Sequence, residues 1–197
     1  MYILRHYLII WFLLCCSLLV GQSSHTFLTY NLLNYEDEDD REDDFITVIE
    51  YVEPDIIIAQ EVVSDDGFNH FLTDVLDILA PGDWSGADFT DQSASIDIAL
   101  FYRHDVFSFI STDLVNTAQS AGTRDVVEWI MEHNESSTQF NVYGVHFKAS
   151  SGNANAQWRL AEATALRDYL DDLPAGSHFI VAGDFNIYST SILNVDR

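Results

Sequence analysis

The chain has 197 residues, enough for one domain with a sizeable core, and 48% apolar with 13% aromatic content excludes global disorder. Eight Lys and Arg face 32 Asp and Glu, a formal net charge of −24. That sign is wrong for gripping nucleic acid through a basic face, so a polyanionic substrate must be drawn in by bound metal and a few local cations.

The first twenty residues, MYILRHYLIIWFLLCCSLLV, place Arg5 ahead of an apolar run from Tyr7 to Val20, and small or polar residues follow at 21–24. The run is short for a bilayer span. The pattern is that of a secretory signal peptide cleaved near Gly21, with a leader at 1–21 and a mature domain at 22–197. The expected location is secreted or periplasmic. An uncleaved membrane anchor is the plainer alternative, and a lipoprotein reading through Cys15 or Cys16 lacks the small residues that should precede the cysteine. Both cysteines lie in this run, so a cleaved chain has no disulfide and no cysteine metal site. Its stability then rests on core burial.

Residues 26–33 (TFLTYNLL) read as a first strand with Asn31 near its end. EDEDDREDD at 36–44 reads as a solvated acidic loop entering a helix, where the N-terminal dipole favours acids. It lacks the spacing and the Gly of a calcium loop. Phe45, Val48, Ile49 and Val52 recur at helical spacing before Pro54. Residues 55–62 (DIIIAQEV) predict a buried strand that delivers Gln60 and Glu61 at its end. Phe68, Phe71, Leu72, Val75 and Leu79 form a second helical stripe, stopped by Pro81-Gly82.

The middle of the chain turns to strands at 95–103 and 106–115, then at 123–133 and 140–149, paired as a hairpin across NESSTQ. Asn134-Glu135-Ser136 is a formal glycosylation sequon, meaningful only in a eukaryotic secretory pathway. Residues 153–173 predict a helix with Trp158, Ala161, Ala165 and Tyr169 among its buried positions. HFIVAGDFNI at 178–187 reads as an apolar strand that ends at Gly183 and presents Asp184 and Asn186. Residues two apart on a strand face the same side, which would aim a carboxylate and an amide at one spot. An Asx turn through GDFN is the plainer alternative. This order of elements points to an α/β sandwich with helices covering sheets packed face to face.

Read together, the strand ends resemble the endonuclease/exonuclease/phosphatase superfamily. The matching segments are TYNLLN at 29–34, PDIIIAQEV at 54–62, TRDVV at 123–127, NVYGVHFKA at 141–149, the helix with Arg159 and Ala163, and VAGDFN at 181–186. The resemblance implies a DNase I-like four-layer α/β sandwich, incomplete at the C-terminus. It also implies roles. Asn31 lies near metal and phosphate, and Glu61 is the main metal-ligating carboxylate for Mg2+ or Mn2+. His146 contacts the scissile phosphate and takes part in proton transfer. Asp184 helps activate the attacking water, Asn186 holds a phosphate oxygen, and Arg124 lies beside the substrate phosphate. Members of the family continue past GDFN to a terminal Asp-His pair; this sequence stops at Arg197 without it, and the expectation is a fragment of a longer coding sequence.

The residue types suit that chemistry. Phosphodiester hydrolysis needs a metal to neutralise developing charge, an oriented water and a route for protons. Each residue also has a plainer reading: Asn31 as a turn residue, Glu61 as an exposed acid, His146 as a structural histidine, Arg124 as a surface ion-pair partner. The leading expectation is a secreted, metal-dependent phosphodiesterase, with a nuclease first. A sphingomyelinase-like or inositol-phosphate enzyme shares every motif, and a non-catalytic domain retaining the fold is the third reading. The expected partner is a phosphodiester substrate, whether nucleic acid, phospholipid or small phosphate ester, and no protein partner is implied.

Overall fold

Residues Ile56 to Ala59 are apolar at every position because both faces of their strand are covered. In the computed structural model, which describes residues 24–36, 40–92, 96–119 and 122–188, Ile57 and Ala59 face helices. Ile56 and Ile58 face a second sheet. A strand buried on two sides reads as a continuous hydrophobic run rather than an alternating one. The signal peptide expected at 1–21 lies outside the described residues.

The first sheet holds β1 (Phe27–Tyr35), β2 (Ile56–Val62), β3 (Trp84–Gly86) and β4 (Asp97–Arg103) in the order β1-β2-β4-β3. β1 and β2 are parallel, and β4 runs antiparallel to both β2 and β3. The short edge strand β3 was not expected from the sequence; three residues carry no periodic signal. The second sheet holds β5 (Phe107–Val115), β6 (Val126–His133), β7 (Thr138–His146) and β8 (Phe179–Asp184) in chain order. β6 and β7 form the expected hairpin, and β8 joins β7 in parallel.

Helix α1 (Glu42–Val52) opens with Glu42, Asp43 and Asp44 in its first turn and buries Phe45 and Ile49. It closes at Glu53, whose left-handed backbone lets its N–H donate to Ile49 O. A second helical run begins as α2 (Ser64–His70), widens into a π-helical turn at Phe71–Leu76 and ends at Asp77–Leu79. These two pack on the outer face of the first sheet, through Phe45, Ile49, Phe71 and Val75. Helix α3 (Asn153–Asp171) covers the second sheet, where Leu166 packs with Tyr143, Val145 and Phe147. Between the sheets lie Ile98, Leu100, Trp129, Met131 and Val142. The layers are therefore helices, sheet, sheet, helix: the expected four-layer α/β sandwich.

The face that α3 buries differs from the expected one. Arg159, Glu162 and Leu166 are buried, whereas Trp158 and Tyr169 are 38% and 39% exposed. A sequence reading favours the face with the larger rings. Here the helix turns by one position because two charged side chains find hydrogen-bond partners beneath it, and buried charge is tolerated when bonded.

Candidate active site

The C-terminal ends of β1, β2, β7 and β8 meet across the seam between the two sheets, and the candidate residues sit there. β1 and β2 keep regular register as far as Asn31↔Gln60, then slip before resuming at Tyr35↔Val62. On its other side β2 slips against β4 between Gln60 and Val62. Glu61 falls in that bulge with φ 62°, a left-handed backbone that costs a non-glycine residue about 1–3 kcal/mol. The bulge breaks the strand's alternation: Gln60 and Val62 on either side are buried, and the Glu61 carboxylate is turned towards the seam.

Asn31 joins the two sheets. Its Nδ2 donates to Glu61 Oε1 at 2.9 Å and to Asp184 Oδ2 at 3.3 Å. Its Oδ1 accepts the Leu33 N–H at 2.9 Å, which fixes which end of the amide faces the carboxylates and leaves one oxygen lone pair over. His146, on the last residue of β7, lies opposite Asp184 in the parallel ladder, with Nε2 3.8 Å from Glu61 Oε1. Arg124, just before β6, donates from Nη1 to His146 O at 3.1 Å.

Asp184 and Asn186 are not two residues of one strand face. β8 ends at Asp184, and the Asn186 N–H donates to Asp184 Oδ1 at 2.8 Å, the Asx turn that the GDFN sequence also allows. Asn186 adopts φ 51° and donates from Nδ2 to Phe147 O at 3.0 Å. Both oxygens of Asp184 are thereby held, one by each asparagine.

Beneath this surface, α3 holds the segment that follows β7. Arg159 Nη1 donates to Lys148 O at 2.8 Å and to Ser150 O at 2.9 Å, while Glu162 Oε2 accepts the Lys148 N–H at 2.9 Å. The Arg159 guanidinium lies 5.2 Å from the centroid of the Tyr188 ring. The Tyr188 hydroxyl accepts the Ser150 N–H at 2.9 Å and donates to Asn186 Oδ1 at 3.0 Å. One tyrosine thus ties helix, strand end and Asx turn together.

Burial and charge set the protonation states. Burial, and then the Arg124 charge, push the His146 pKa down to about 4 against the pull of Asp184 and Glu61, so its imidazole is neutral at pH 7. Asp97, opposite Val62 beside the bulge, is raised to about 6 by burial. Burial also raises Glu162. Arg124 is the counterion to Asp97, Glu162 and Glu61; burial lowers its own pKa against the opposing pull of their charges. His146 Nδ1, Arg124 Nε and Glu162 Oε1 are buried without a hydrogen-bond partner among the described residues.

The structure therefore brings Asn31, Glu61, Arg124, His146, Asp184 and Asn186 into one constellation. Asp97, Arg159, Glu162 and Tyr188 belong to its support and carried no sequence signal of that role, apart from Arg159 within a matching segment. No three His, Cys, Asp or Glu donors converge on one point among the described residues. Glu61 and Asp184 are nonetheless two carboxylates sharing a single amide donor, and a cation would relieve their repulsion. Mg2+ is commonly held by one or two carboxylates with water filling its other positions, so this donor set suits it.

Two mixed sheets stacked between helices, with this cluster at their seam, define a DNase I-like α/β sandwich. The chain belongs to the Endonuclease/Exonuclease/phosphatase family, which it matches over residues 28–196. Members of this superfamily are phosphoester hydrolases. Among solved structures it is similar to D. rerio TDP2 complexed with a single-strand DNA product, at 14% identity and a TM-score of 0.67. The match covers 87% of this chain and 65% of that one. A Bacteroides thetaiotaomicron mannosyl-6-phosphatase is 21% identical with a TM-score of 0.63, over 85% of this chain and 67% of that one. The human Nocturnin catalytic domain with bound sulfate is 22% identical with a TM-score of 0.57, over 78% of this chain and 60% of that one. At these identities the likeness shows the fold. The chain spans about 65% of the length of the D. rerio structure. No curated protein matches it by sequence at a significant level.

Proposed function

We propose that the chain carries the site of a metal-dependent phosphoesterase, secreted through a leader at 1–21, with its domain starting at residue 22. The observation that supports this most is the Asn31 amide, which holds Glu61 of one sheet and Asp184 of the other at 2.9 and 3.3 Å beside a neutral histidine. Hydrolysis of a phosphoester needs negative oxygens to meet positive charge and dipoles while protons move, and these residues supply the dipoles and the proton carriers.

Glu61 would hold Mg2+ or Mn2+, with Asp184 and the remaining lone pair of Asn31 Oδ1 beside it. The bound cation supplies charge that neutralises developing negative charge on the phosphate. Asp184 is held rigidly at both oxygens and can orient a water and accept its proton. His146, neutral above about pH 4, can take up or pass on a proton rather than act as a fixed cation. Asn186 Nδ2 spends one hydrogen on Phe147 O and keeps the other for a phosphate oxygen. Arg124 adds positive charge next to His146, while the Lys148 charge acts on Glu162.

The TDP2 structure contains a DNA product and the Bacteroides protein is named a mannosyl-6-phosphatase, so nucleic acid and sugar phosphate are both candidates on this fold. The direct test is hydrolysis of bis-p-nitrophenyl phosphate. Activity is expected with Mg2+ or Mn2+, lost on chelation, and reduced at least ~10²-fold in Glu61→Ala, the scale of removing one preorganised electrostatic group. A rate untouched by either treatment refutes the proposal. A chain that binds phosphate without turning it over marks a non-catalytic domain.

A further inference from the structure

The acidic stretch 36–44 contains a single cation, Arg41, and it occupies a position that does not suit one. Arg41 is the N-cap of α1: its backbone carbonyl accepts the N–H groups of Asp44 and Phe45 at 3.0 and 3.1 Å. Caps are normally Ser, Thr, Asp or Asn, whose side-chain oxygens accept the first free N–H groups of the helix. An arginine side chain has no acceptor, and its charge opposes the positive end of the helix dipole. The guanidinium turns back onto the exit of β1 instead. Nη1 donates to Leu32 O at 2.8 Å and Nη2 to Leu33 O at 3.2 Å. Its central carbon lies 5.8 and 5.3 Å from the centroids of the Tyr35 and Phe45 rings.

The backbone held in this way is strained. Leu33 and Asn34 adopt φ 53° and 55°, two successive left-handed residues where β1 leaves its regular ladder with β2. Such conformations are costly for non-glycine residues and persist only where surrounding contacts fix them. Leu33 is 66% exposed, so burial of its own side chain does not fix this one. Arg41 grips it by two carbonyls, and the grip reaches the site through one further bond: the Leu33 N–H donates to Asn31 Oδ1 at 2.9 Å. The other end of the same amide donates to Glu61 and Asp184 at 2.9 and 3.3 Å.

We propose that Arg41 is a positioning residue of the candidate site: by clamping Leu32 O and Leu33 O it keeps the Leu33 N–H on Asn31 Oδ1, and so keeps Asn31 Nδ2 on Glu61 and Asp184. Without the clamp the turn relaxes and the amide is free to rotate. The two carboxylates then lose the shared donor that sets their separation. The helix entry is thereby mechanically joined to the seam between the sheets, which accounts for a cation in the middle of an acidic run. The catalytic consequence rests on the phosphoesterase reading above; the clamp on the turn does not.

The test compares the full chain with Arg41→Met, which keeps the apolar stem and removes the donors, and with Arg41→Lys, which keeps the charge but not the forked geometry. Amide hydrogen exchange at Leu33, read by NMR without metal, reports the turn itself. Arg41→Met should speed it at least about tenfold, with the amide of Ile58 in the middle of β2 unchanged. Mn2+ affinity by calorimetry should weaken about tenfold, the lower end of the effect of removing a group that orients a metal ligand. At saturating Mn2+, kcat on bis-p-nitrophenyl phosphate should fall about tenfold with KM within about twofold, because no contact to the ester is lost. Arg41→Lys should give smaller losses of about threefold in the same readouts, and it carries the test if Arg41→Met does not fold. Leu33 exchange as slow as in wild type overturns the clamp. Fast exchange with Mn2+ affinity and kcat both within about twofold of wild type overturns its positioning role. A wild-type chain that protects the Leu33 amide but neither binds Mn2+ nor hydrolyses the ester overturns instead the phosphoesterase reading.

Discussion

Gly183→Ala tests how the second sheet delivers its carboxylate. Gly183 pairs with Val145 one step before Asp184 pairs with His146, so it sets the spacing of the strands that place both groups. A Cβ on Gly183 would lie 2.0 Å from Val145 O and 2.8 Å from Val145 N, where real contacts essentially never fall below 3.0 Å. The strands must part by roughly 1 Å or more, and the residue sits at φ 140°, which side chains rarely adopt. Backbone strain of about 1–3 kcal/mol and weakened ladder bonds of about 1 kcal/mol each give a cost near 3 kcal/mol. At about 2–4 °C per kcal/mol for a domain of this size, Tm should drop by roughly 6–12 °C. A displacement of about 1 Å between Asp184 and His146 should also lower kcat by about 10²-fold. Thermal denaturation followed by circular dichroism reads the first effect, and bis-p-nitrophenyl phosphate hydrolysis reads the second. Gly176→Ala is the control, because Gly176 has φ 89° but open space around it and so reports strain without overlap. A Gly183→Ala protein with wild-type Tm and rate, or no worse than Gly176→Ala, would refute the reasoning.

Further expectations concern protons and positioning. His146 has a folded pKa near 4 against an ordinary 6.5, so its stabilising contribution is complete above pH 6.5 and is lost as pH falls towards 4. Urea unfolding of wild type and His146→Gln should show a stability difference that grows by about 3 kcal/mol from pH 4 to 6.5; a flat difference would sink the burial argument. Asp97, raised to about 6, acts in the opposite sense: its contribution is present below about pH 4 and lost as pH rises to 6, so Asp97→Asn should give a difference of opposite slope. Tyr188→Phe keeps the ring over Arg159 but removes both hydroxyl bonds. It should lower kcat about tenfold with little change in KM or Tm, roughly the 1–1.5 kcal/mol of the bonds lost. An unchanged kcat would show that Asn186 needs no such support.

Much of this molecule is written locally. The unbroken apolar run of β2, the acidic entry to α1, the hairpin of β6 and β7 and the closing strand β8 follow from periodicity and turn chemistry, because each element must bury a face that its own residues define. The ordered strand-end motifs likewise name Asn31, Glu61, His146, Asp184 and Asn186. Tertiary contact decided the rest. Glu61 reaches the seam only through a bulge between two partner strands, and Asp184 is aimed by an Asx turn held by Asn31 across the sheets. Helix α3 buries Arg159 and Glu162 in place of its larger rings because the carbonyls and N–H they serve belong to a strand end that the helix's own residues do not encode. Periodicity records how much apolar surface a segment must hide. Where a buried polar group finds its partner is known only once distant segments have met, and at this site that meeting is what assembles the chemistry.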